Sequence, residues 1–149
     1  MNIDKFVTLY KASNDKEKFC LENCKNMYIP FLDKVVMATK IVNASYTVDK
    51  KYVANSVARF VFFVMAVLEM YYEVEYDKND IYNEFDKINR LSMTPHLCKS
   101  VSDIDEFRLV LTMTLDDFRE NNLSIPAFLD NKFDAINLIV DDVLDKLNK

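Results

Sequence analysis

One histidine, His96, and three cysteines, Cys20, Cys24 and Cys98, are the residues best suited to nucleophilic, acid–base or metal chemistry in this chain of 149 residues. Cys20 and Cys24 are four apart, so a helix would carry both thiols on one face. Cys98 follows His96 by two residues. The four could be assembled into a Cys3His zinc site, but their spacing is not that of a zinc knuckle. Free cysteine is among the most buried residue types and behaves as a small hydrophobe. Packing is therefore the favoured reading of all three.

Carboxylates recur four residues apart at Glu69/Glu73, Asp116/Glu120, Asp130/Asp134 and Asp141/Asp145. Helical carboxylate metal sites add Glu-x-x-His pairs that project into a bundle. Met93 stands three residues before His96, so that pair is absent. Exposed acidic residues of this kind read as solvated helix faces. Asp77-Lys78-Asn79-Asp80 opens like a calcium loop, but it lacks the sixth-position glycine and has Ile88 where the twelfth-position glutamate belongs. The chain contains no glycine at all. Phosphate-cradling loops, dinucleotide fingerprints and nucleophile elbows all need it at fixed positions. The expectation is a protein with no catalytic residue, no metal site and no cofactor.

The elements that position these residues are helical by period. The chain is 50% hydrophobic and 29% charged, which is globular composition, and residues 1–149 read as one domain. Met1–Lys11 lacks a basic segment followed by an apolar one, which predicts an unsecreted chain with reduced thiols. The longest apolar run, Phe60–Leu68, is nine residues, against about 20 for a membrane span. It predicts a buried central helix over residues 53–72.

Around it, the spacing predicts a first helix over Ile3–Ala12, with Phe6, Leu9 and Tyr10 inward. A second follows Asn14 as its cap, with Phe19, Leu21 and Cys24 as its apolar side. A third runs from Pro30 to about Asn43 along Phe31, Val35, Ala38 and Val42, followed by a loop over Ala44–Lys51. Tyr72–Tyr76 reads as a fraying helix end. Shorter helices are expected over Asp80–Leu91 and from Thr94 to about Ser100. Ser102 is expected to cap a helix over Asp103–Asn121, and Ser124 another over Ile125–Asn148. Their apolar stripes and short connection predict an antiparallel C-terminal pair. The fold class is an all-α, single-domain bundle of six to seven helices. Without glycine, left-handed helix ends are expected at Asn26, Asn43 and Asn121-Asn122.

Charge is uneven. Residues 1–51 carry +3, residues 52–102 carry −2 and residues 103–149 carry −6, for a net −5. Acidity on this scale disfavours nucleic acid, whose binding rests on phosphate neutralisation. Two clusters suggest a protein partner. Tyr71, Tyr72, Tyr76 and Tyr82 combine apolar area with a polar tip. Asp116, Asp117, Asp141 and Asp142 offer a docking face for a basic partner. Packing at the rim of the core is the plainer reading of the tyrosines. Arg59 and Glu69 flank the apolar run on different faces, and each needs its own partner or a route to water.

Four stretches carry a resemblance. They are Tyr28-Ile29-Pro30-Phe31 with Lys34 and Ile41-Val42-Asn43-Ala44, then Val53–Phe60, then Asp116-Asp117. Together they resemble small all-helical proteins of tailed bacteriophages of low-GC Gram-positive bacteria, over most of the chain. That resemblance implies a non-enzymatic part or assembly factor of the virion, and transfers no functional residue. Its partners would be virion proteins or further copies of itself, in the host cytoplasm or the virion, with no membrane. A looser likeness links the acidic, helical chain and its central Phe60–Leu68 helix to viral Bcl-2-like proteins. Their Gly-Arg pair at a helix start has no counterpart here. The alternative function is accordingly inhibition of a host factor, as an acidic nucleic-acid mimic or a helical groove binder.

Overall fold

A computed structural model describes residues 1–48, 51–52, 55–122 and 144–147. The elements in order are α1 (Ile3–Ala12), α2 (Lys16–Asn23), α3 (Phe31–Tyr46), β1 (Thr47–Val48), β2 (Lys51–Tyr52), α4 (Ser56–Tyr72), a single 3-10 turn (Lys78–Asp80), α5 (Ile81–Asn89), α6 (Thr94–Lys99) and α7 (Ile104–Asn122). Residues 144–147 are also helical. The fold is an all-α bundle. The chain divides into two compact units, Met1–Thr112 and Met113–Lys149. Most of the second helix of the expected C-terminal pair, over Ile125–Asn148, lies outside the described residues.

Local sequence explains most helix starts. Asn2 accepts from the Lys5 N–H, Asp15 from Lys18 and Asn55 from Ala58, each filling one orphan donor of a first turn. The second cap is thus Asp15 rather than Asn14. Pro30 immediately precedes α3, and Pro95 lies in the first turn of α6, where a missing N–H costs nothing. The Lys16 ammonium closes α1 by donating to the carbonyls of Tyr10, Lys11 and Ser13, a cation set against the negative end of the helix dipole.

The unit Met1–Thr112 is organised round α4. Val61, every residue from Phe63 to Leu68, and Tyr71 and Tyr72 are buried. A helix apolar on nearly all sides is a core helix, and α4 packs against α3, α5 and α6. From α7, Phe107 reaches the Phe63 ring at 5.0 Å and the Tyr71 ring at 6.4 Å. Among the described residues no helix is long and apolar enough to cross a membrane.

Helix ends differ from the expectation. Among the described residues the left-handed ones are Glu73 (φ 53°) and Ser92 (φ 51°), not asparagines. Asn43 lies inside α3, which continues to Tyr46. There the expected loop is partly an antiparallel ribbon, with Thr47 opposite Tyr52 and Val48 opposite Lys51. After α5, the Met93 N–H bonds to the Ile88 carbonyl and the Ser92 N–H to that of Asn89. This is a Schellman closure with serine where glycine usually stands. Met93 and Ile88, both buried, supply its apolar contact.

Tyr72–Tyr76 is not a fraying helix. The Tyr71 carbonyl accepts from the backbone N–H groups of Lys25 and Asn26, and that of Met70 from the Asn26 side chain. Glu75 then pairs with the N-terminal segment: its N–H donates to the Met1 carbonyl and its carbonyl accepts from Ile3. Distant backbone completes the end of α4, so the helix stops where those partners are.

Candidate functional site

The most unusual side chain in the bundle is Lys34, which is fully buried. Its ammonium lies 2.5 Å from Asp103 Oδ2 and 2.9 Å from Glu106 Oε1 at the start of α7. It also sits 4.3 Å from the centre of the Tyr28 ring, a cation–π contact. The Ile29 N–H donates to the same Asp103 oxygen at 3.0 Å. Burial by itself lowers the Lys34 pKa, but the two carboxylates outweigh it and the net direction is up. Burial raises Asp103, while Lys34, the Ile29 N–H and the Tyr71 hydroxyl together bring it below the usual carboxylate range. Tyr71 Oη and Asp103 Oδ1 lack a well-formed hydrogen bond among the described residues.

This charge cluster adds Lys34 to the inner face of α3. Of the expected stripe, Ala38 and Val42 are buried and Val35 is half-buried against the core, beside Lys34, Ile41 and Ser45. Phe31 is exposed, together with Tyr28, Leu32 and Val36. Leu9 and Leu21, also expected inward, are exposed as well. Ser102 does not use its hydroxyl as a cap for α7. It donates to the Met27 carbonyl at 2.5 Å, tying the segment before α3 to the segment before α7. Ion pair and hydrogen bonds thus hold residues 27–34 in place while their large apolar side chains face outward.

The tyrosines do not make one surface. Tyr71 and Tyr72 are buried, which removes them from any contact face. Tyr72 donates to the Leu97 carbonyl at 2.7 Å. Tyr76 is half-buried and donates to Glu69 at 3.2 Å. Burial pushes all three phenols well above their usual value. Only Tyr82 of the four is exposed. Glu69 finds partners in Tyr76 and in the Lys78 ammonium at 2.8 Å. Asp116 and Asp117 are exposed on α7, whereas Asp141 and Asp142 lie outside the described residues.

The cysteines are free thiols. Burial, reinforced by Cys24, pushes Cys20 up to about 12, which makes it a packing group rather than a nucleophile. Among the described residues no group of three or more His, Cys, Asp or Glu is placed to hold a metal ion.

A cleft of about 370 Å³ opens where α4, α6 and α7 meet, lined among others by Arg59, Phe60, Thr94, Cys98 and Arg108. Arg59 lies 5.8 Å from the Tyr46 ring. Its Nη1 atom and Thr94 Oγ1 are buried without a hydrogen-bond partner among the described residues. A buried orphan donor costs about 1–3 kcal/mol. Burial raises the Cys98 thiol, and the Arg108 guanidinium hydrogen-bonded to it opposes the rise.

Sequence reasoning missed both features. Lys34 and Asp103 are sixty-nine residues apart and belong to no motif. The one available signal was Arg59, a charged residue beside the apolar run that needed a partner. Compared with models of protein families, with curated proteins and with solved structures, the chain finds no match.

Proposed function

We propose that this chain is a non-enzymatic binding protein that works through protein–protein contact, as a part or assembly factor of a virion. The observation that carries the reading is the outward face of Tyr28, Phe31, Leu32 and Val36, with Leu32 72% exposed. Aromatic and large aliphatic side chains mark contact surfaces when they cluster, whereas single exposed ones do not. This cluster is held rigid from beneath by Lys34, Asp103 and Ser102. A preorganised face loses little conformational entropy on binding, which favours affinity. The virion setting follows from the resemblance to small helical proteins of tailed phages.

The test is affinity capture from phage-infected low-GC Gram-positive cells, with the wild-type chain, Leu32→Asp and Leu21→Asp as bait. Leu21 is exposed on α2 and serves as the control. A virion protein retained by wild type and by Leu21→Asp, but lost with Leu32→Asp, supports the proposal. Equal retention by all three, or recovery of no virion protein by wild type, overturns it. A host protein recovered through the same face would instead mark the chain as a host-factor inhibitor.

A further inference from the structure

We infer that the cleft between α4, α6 and α7 is a binding site for a small organic phosphate with a flat apolar body, of the mononucleotide type. The chain is acidic overall, with a net charge of −5 and only four arginines. Two of those four, Arg59 and Arg108, line this one cleft, and no carboxylate among the described residues lines it with them. Concentrating guanidinium groups against the sign of the whole molecule makes a local positive site in a negative field.

The chemistry of the lining selects the ligand. A guanidinium is a planar fork of donors that matches phosphate and carboxylate oxygens. Two such forks carry two positive charges, which a phosphate monoester balances near neutral pH and a single carboxylate does not. Arg59 Nη1 and Thr94 Oγ1 are buried donors with no partner among the described residues, and Ser56 adds a hydroxyl to the lining. Arg108 hydrogen-bonds the Cys98 thiol and meets Asp105 at 3.4 Å, a long contact with an almost fully exposed carboxylate; neither acceptor competes strongly with a phosphate. The Phe60 and Phe63 rings line the same cleft. Phe60 is largely exposed although it sits on the core helix, and an aromatic face of that kind stacks a heterocycle. The volume, about 370 Å³, falls in the range of small-molecule sites, about 300–1,000 Å³.

Isothermal titration calorimetry with adenosine monophosphate, adenosine and inorganic phosphate tests the site on the full chain. The expected result is saturable binding of the monophosphate, with adenosine and phosphate each binding at least about tenfold more weakly because each satisfies half of the lining. Arg108→Ala is expected to weaken the monophosphate about tenfold or more through loss of charge-assisted hydrogen bonds. Arg108 is half exposed, so this variant tests the site without threatening the fold. Arg59→Lys is expected to weaken binding by a similar factor, since an ammonium keeps the charge and loses the fork. Circular dichroism confirms that both variants fold. Absence of monophosphate binding to wild type overturns the inference, and so does binding that neither variant weakens.

Discussion

Replacing Lys34 by methionine keeps the length of a buried side chain and removes its charge. Asp103 is then left 8% exposed with no cation to face. At an effective dielectric constant of about 20, unit charges 2.5 Å apart attract by about 7 kcal/mol. Taking both ions out of water costs several kcal/mol each, so the intact pair nearly breaks even. Removing one partner does not break even, and costs about 3–5 kcal/mol. Glu106 loses the same cation but adds little to the cost, because at 42% exposure it is screened by water.

Urea unfolding followed by far-ultraviolet circular dichroism reads the cost. With a slope of about 1–3 kcal/mol per molar urea, the midpoint of Lys34→Met is expected to fall by about 2 M. Lys34→Met/Asp103→Asn removes both charges and keeps an acceptor for the Ile29 N–H. It is expected to recover at least about half the loss, a coupling of about 2 kcal/mol in the double-mutant cycle. A Lys34→Met midpoint within about 1 kcal/mol of wild type, or a double variant that equals the sum of its singles, would refute the reasoning.

Stability should also follow pH through this pair. Asp103 is held below its unfolded value, so its contribution is complete above about pH 4 and disappears as pH falls through the lowered folded pKa. Lys34 is held above its unfolded value, so its contribution is complete below about pH 10 and is lost as pH rises through the raised folded pKa. Urea midpoints measured from acid to alkaline pH should therefore fall at both ends in wild type, and less steeply in Lys34→Met/Asp103→Asn. At the Schellman closure after α5, Ser92→Gly relieves a left-handed conformation at φ 51°. A gain of about 1 kcal/mol is expected, measured as a rise in the thermal midpoint, and an unchanged or lower midpoint counts against it.

How much of this was legible in the sequence depends on the range of the interaction. The helix α1 over Ile3–Ala12 matches its expected bounds, because its cap, its apolar spacing and its end are all local. The end of α4 follows only in part from Glu73-Val74, whose backbone closes on the Leu68 carbonyl; the Met70 and Tyr71 carbonyls are satisfied by Lys25 and Asn26. The contact face at Tyr28, Phe31, Leu32 and Val36 was hidden for a related reason. An amphipathic reading of α3 assigns apolar residues to the inside and Lys34 to water.

Composition and period by themselves determined an all-helical chain, with Phe60–Leu68 in its centre and without the glycine loops of common enzymes. Those are consequences of residue type and of spacing within one turn or two. Only the tertiary structure decided that a lysine enters the core, that two tyrosines leave the surface and that two arginines share a cleft. A buried charge is stable only where its opposite has been brought from elsewhere in the chain. Asp103 meets Lys34 at 2.5 Å only after α3 and the start of α7 have packed round the central helix. Until that packing exists, water is the better partner for both.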